Sequence, residues 1–139
     1  MPSRMRRPEE VRLPFNADDW LIVKKHLTTG EGRQVFARMI KRQMAGQRAE
    51  IDPTMSGISL IAEYLLDWSI LDADGHPVVI RNSSVDVKLA ALNELPPELY
   101  NAIDAAVSEH VQAMDAAIEA EKNGQAGETA SSAISVSVA

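Results

Sequence analysis

The chain has 139 residues, 45% of them hydrophobic but only 4% aromatic, with no cysteine and a formal net charge of −6. That length suits one domain whose core is built from Leu, Ile, Val, Met and Ala. The lack of cysteine excludes disulfides, thiolate metal sites and cysteine nucleophiles, and no run approaches the roughly eighteen apolar residues of a bilayer span.

Residues 1–12 are basic and without apolar periodicity, and read as a flexible arm. The opening "MPSRMRRPEEVRLPF" has no apolar core segment and does not read as a signal peptide. "VRLPF" is a short extended piece that Pro14 keeps out of a central strand. "DDWLIVKK", 18–25, is rich in β-formers and predicts a strand carrying Trp20.

"TTGEGRQVFARMIKRQMAG", 28–46, predicts a helix. Thr28 or Thr29 caps it, Gly30 and Glu31 lie in its first turn, and Gly46 stops it. Phe36, Ile40 and Met44 repeat at i, i+4, i+8 as its apolar stripe, with Val35 and Met39 beside them. After a polar connection, "PTMSGISLIAEYLLDW", 53–68, predicts a second helix. It carries two stripes, Ile58–Ile61–Leu65 and Leu60–Tyr64–Trp68, and is therefore buried on a wide face. Pro53 and Thr54 suit its start.

"SILDADGHPVVI" predicts a β-hairpin, with Asp72, Asp74 and Gly75 as turn chemistry and Pro77 leading into the return. "SSVDVKLAALNELP" predicts a short helix capped by Ser83 or Ser84. A long amphipathic helix then starts at Pro96 and Pro97 and ends at Gly124, with Leu99, Ile103, Val107, Val111, Met114 and Ile118 as its stripe. Residues 124–139 read as a disordered tail. The expected fold is mainly α, of the α+β type. It is a small domain of about four helices, a short β-hairpin and one further strand over residues 13–123.

The search for chemistry yields little. Asp72, Asp74 and Gly75 match the third, fifth and sixth positions of a calcium loop, but Ile70 and Arg81 then stand where carboxylates are required. His26, His76 and His110 lie on three elements without ligand spacing, and there is no G-x-S-x-G, H-E-x-x-H or phosphate loop. No catalytic, metal or cofactor residue is assigned, and the chain reads as a non-enzyme. Charge is more informative. Residues 1–50 carry eleven Lys/Arg against six Asp/Glu, a net of +5, while residues 51–139 carry three against fourteen, a net of −11. The split fits a solvated surface or self-association. It also raises a nucleic-acid reading, which scarce aromatics and the acidic second half disfavour. Candidate partner-binding faces are the basic helix surface Arg33, Arg38, Lys41 and Arg42, and the later helix residues Asp104, Glu109, Met114 and Asp115.

Three ordered stretches carry a resemblance. "AEYLLDWSILDADGHPV", 62–78, resembles a segment of the tail assembly chaperones of long-tailed bacteriophages, in which a helix ending Y-L-[LV]-D-W-S runs into an acidic D-A-D-G-x-P-V turn. "DDWLIVKKHLTTGEGRQVFARM" and the late acidic helix after "NELPPELYNAIDAAV" are similar to the same family, so the likeness covers about residues 18–122. The motif positions are Trp20, Gly30, Glu31, Tyr64, Leu65, Leu66, Asp67, Trp68, Asp72, Asp74, Gly75 and Pro77, expected to act as fold determinants. The resemblance implies a non-enzymatic role in the cytoplasm of an infected bacterium, binding the phage tape measure and tail tube proteins during tail assembly. A permanent small virion protein of the tail or head–tail connector is the alternative. No membrane partner is expected.

Overall fold

The computed structural model describes residues 2–5, 8–42 and 50–138, with side chains described outside 41–51 and 124–138. The elements run β1 (Glu10–Phe15), β2 (Asp19–Lys24), α1 (Thr29–Met39), β3 (Ile40–Arg42), β4 (Glu50–Ile51), α2 (Pro53–Tyr64), β5 (Leu65–Trp68), α3 (Val85–Asn93) and α4 (Pro97–Val138). The chain divides into two compact units, Met1–Val107 and Ser108–Ala139. The first holds the sheet, three helices and the start of α4; the second is the remainder of α4.

An antiparallel sheet of order β1-β2-β5 organises the first unit. The β1–β2 turn places Asn16 at φ 53°, a left-handed conformation that Asn tolerates better than most residues. On β2 the alternation of a half-exposed strand appears: Leu21 and Val23 are fully buried, while Trp20, Ile22 and Lys24 are half-buried. β5 pairs Trp68 with Leu21 and Asp67 with Ile22, then slips so that Leu65 meets Val23. Leu66 is the extra residue of that bulge, which lets both Leu65 and Trp68 point into the core. Ile58, Ile61, Ile80, Leu92, Ile103 and Val107 complete the core.

The helix starts follow their sequence signals. Thr28 caps α1 in a full capping box with Glu31; Asp52 caps α2 with Pro53 in its first turn; Ser84 caps α3. The ends differ from expectation. α1 stops at Met39, and Ile40–Arg42 instead pair with Glu50–Ile51, in what was read as a polar connection. Met44 and Gly46, read as the last stripe residue and the stop, lie outside the described residues. Phe36, assigned to the apolar stripe, is 53% exposed, and Val35, placed beside that stripe, is the buried residue of α1.

α2 ends at Tyr64, and Leu65–Trp68 form a strand, because β2 offers a free edge to an apolar run whose periodicity fits helix and strand alike. Leu65 already has extended dihedrals, φ −72° and ψ 126°. The hairpin at 70–80 is reduced to a single antiparallel bridge, Leu71 with Pro77. β1 starts at Glu10, inside the stretch read as arm, because Glu10–Arg12 pair with Ile22–Lys24. α4 continues past Gly124 to Val138. One glycine in a helix interior costs about 1 kcal/mol, which does not by itself end a helix.

Candidate functional site

The family-like residues fall into two places. The first is a framework where β2, α1, α2 and β5 meet. The Trp20 backbone N–H donates to Ser69 Oγ at 3.0 Å, and Ser69 Oγ donates to Asp19 Oδ1 at 3.0 Å, joining the ends of β2 and β5. The Arg12 guanidinium lies over the Trp20 ring, 4.9 Å from its centroid. Tyr64, Leu65 and Trp68 are buried, and Trp68 Nε1 donates to the Val78 carbonyl at 2.8 Å, pinning the 70–80 loop to the sheet. Asp67 is half-buried and accepts the Trp68 N–H at 2.9 Å, closing off a backbone donor at the bulged strand.

Within this framework lies a group of charges that the sequence reading missed. Glu63, only 5% exposed, accepts from Arg38 Nη1 at 2.6 Å and has Lys24 Nζ at 3.9 Å. Lys24 also donates to Glu31, so the capping box of α1 is joined to β2 and α2. Burial raises the Glu31 carboxyl, but the Lys24 hydrogen bond, the Thr28 bonds and the Lys24 charge outweigh it and hold the group below its ordinary 4.5. Lys88 of α3 is 6% exposed and forms no ion pair among the described residues. Burial, followed by the nearby Lys24 charge, holds its ammonium below the ordinary value. Ser59, fully buried, donates to the Val35 carbonyl at 3.1 Å and locks α2 to α1. The missed signal was the helical offset of Glu63 and Arg38. Each lies on the core-facing side of its own helix, which a residue-by-residue search for motifs does not register.

Arg38, read as part of a partner-binding face, is thus an internal ion-pair partner. Arg33 remains exposed, while the side chains of Lys41 and Arg42 are outside those described. Asp104 belongs to the first unit and Tyr100 lies one turn before it. Burial and then the Asp104 charge push the Tyr100 phenol up. Glu109, Met114 and Asp115 belong to the second unit, with Glu109 and Asp115 exposed and Met114 half-buried. The predicted faces are thus divided between the two units.

The second place is the exposed turn. Asp72 Oδ1 accepts from the backbone N–H of both Asp74 and His76, each at 2.9 Å. The Gly75 N–H donates to the Asp72 carbonyl at 3.0 Å, and Gly75 sits at φ 82°, where a side chain is strained. Asp72, Asp74 and His76 bring one potential ligand atom each within 4.8 Å of one another, all three exposed. His76 falls outside the ligand positions of a calcium loop, so loop spacing alone does not bring it to notice. The arrangement is explained by the turn itself, with one Asp72 oxygen already engaged by two backbone donors. Comparison of the chain with protein-family models, with curated proteins and with solved structures gives no match in any of the three.

Proposed function

We propose that this chain is a non-enzymatic assembly chaperone of long-tailed phage tails, binding the tape measure or tail tube protein in the host cytoplasm while the tail is built. One observation carries the reading. Three of the residues that bear the family likeness are tied into one framework: Trp20 through Ser69 to the end of β5, Glu31 through Lys24 to Glu63, and Trp68 to the 70–80 loop. Motif residues spent on holding elements together are what a family likeness in a binding scaffold requires, whereas a catalytic likeness would gather around exposed reactive groups. The cations argue against a nucleic-acid role for the same surface. Arg38 is bound to Glu63, Arg81 to Glu10 at 2.9 Å, and Arg12 is stacked on Trp20, so three arginines are engaged within the chain.

The test is co-expression with tape measure and tail tube proteins from the same source genome, read as their soluble yield and as co-purification. Stable binding to either, with the chain absent from purified virions by mass spectrometry, is the expected result. Binding to neither overturns the proposal, and a stoichiometric band in mature virions replaces it with a permanent structural role.

A further inference from the structure

Lys88 stands apart from the ion pairs around it. The charges that act on it come from Lys24 of β2, Glu63 of α2, Arg81 of the loop before α3, and Glu31 of α1. Each of these already has a partner. Glu63 accepts from Arg38 at 2.6 Å, Glu31 from Lys24, and Arg81 donates to Glu10 at 2.9 Å. Lys88 alone among them makes no hydrogen bond or ion pair with the described residues, although it is 6% exposed.

The stem of Lys88 is enclosed, but its tip is not sealed. Among the described residues no enclosed side-chain nitrogen lacks a hydrogen-bond partner, so the partnerless Nζ of Lys88 reaches solvent. As an ammonium this group is penalised twice, by lost hydration and by the Lys24 and Arg81 cations. Loss of a proton relieves both costs and leaves a neutral amine, which is a nucleophile. The enclosure then selects the electrophile. Carbon dioxide is small, linear and uncharged, so neither the narrow opening nor the surrounding charge bars it.

We propose that Lys88 is a carbamylation site, where the side-chain amine takes up carbon dioxide as a reversible carbamate. The Nζ lone pair forms the new N–C bond, one C–O π pair moves onto oxygen, and the nitrogen gives up a proton to water. A neutral amine and carbon dioxide become a carbamate anion and a proton, with no change of oxidation state. The sign of the group is thereby reversed. Lys24 acts on this position more strongly than Glu63, and Arg81 more strongly than Glu31. The cations therefore prevail, and what repels an ammonium here attracts a carbamate. This site does not depend on the assembly role proposed above.

The full chain equilibrated with isotope-labelled bicarbonate at mildly alkaline pH tests it. Carbon NMR detects the carbamate. Esterification with a trialkyloxonium salt, followed by proteolysis and mass spectrometry, locates it. Labelling of Lys88 should exceed that of the exposed Lys122 at least about tenfold, because a lower pKa leaves more of the amine neutral. The carbamate signal assigned to Lys88 should vanish in Lys88→Met, which keeps the stem and removes the amine. It should also vanish when the wild type is unfolded in guanidinium, a control that needs no variant to fold. A wild type whose Lys88 takes up no label at saturating bicarbonate overturns the proposal. So does labelling of Lys88 no greater than that of Lys122, or a signal that survives in Lys88→Met or in guanidinium.

Discussion

The group around Glu63 and the turn at Asp72–His76 both bring ionisable side chains together, yet they differ in what holds them. At Glu63 the charges come from β2, α1 and α2, far apart in sequence, and are largely removed from water. In the turn they are near neighbours, exposed, and arranged by backbone hydrogen bonds. The acidic turn attracts attention in a sequence because its residues are adjacent, whereas the buried group leaves no local trace. Adjacency in sequence is therefore a poor guide to which charges matter energetically; burial and pairing decide.

The sharpest way to break this comparison is Glu63→Ala. It leaves half-buried Arg38 without its carboxylate, while Lys24 keeps Glu31, and should cost about 2 kcal/mol in urea unfolding through the loss of a charge-assisted hydrogen bond. A cost under about 0.5 kcal/mol would place the group with ordinary surface pairs. Lys88→Met should act in the opposite direction. It removes a partly desolvated ammonium with no ion pair among the described residues and keeps the buried apolar stem, so it should stabilise by about 0.5 kcal/mol. In the turn, Gly75→Ala should cost about 1 kcal/mol through its positive φ alone, with no change in ion binding.

The pH dependence is smaller. The folded Glu31 carboxyl titrates below 4.5. Its contribution is therefore present above that value and is lost as pH falls through the folded pKa. Acid unfolding of Glu31→Gln should accordingly lack part of the wild-type loss of stability below pH 4.5. The smallest effect is expected at Asp74→Ala, within about 0.5 kcal/mol, with calcium leaving the melting temperature of wild type and variant alike. A large calcium-dependent rise in the wild type would show the turn to be a metal site after all.

Much of the fold was legible where a residue acts on its own neighbours. Thr28 with Glu31, Pro53, Ser84 and the strand at Trp20 act within a few positions, and each lies in the role its local chemistry suggests. Expectations failed where a distant partner decides. "LLDW" is strand rather than helix because β2 is there to receive it, and Ile40 leaves its helix because Ile51 pairs with it. The spacing of Phe36 with Ile40 fits an apolar helical stripe, but the helix ends before Ile40 and Phe36 is exposed. Periodicity identifies a face without saying what covers it. The same limit hid the Glu63–Arg38 pair, for which nothing short of the packed helices supplies a signal.

Pro14 has a consequence for how the protein behaves at high concentration. It lies opposite Trp20, whose N–H and carbonyl are both engaged on the β5 side, by Ser69 Oγ and the Ser69 N–H. In an antiparallel pair, a residue facing such a partner turns its own backbone groups away from the shared ladder. Pro14 therefore puts its ring, and no donor, on the open rim of the sheet. A strand arriving there from another molecule would lose one hydrogen bond and meet the pyrrolidine ring, which discourages the edge-to-edge stacking that seeds fibrils.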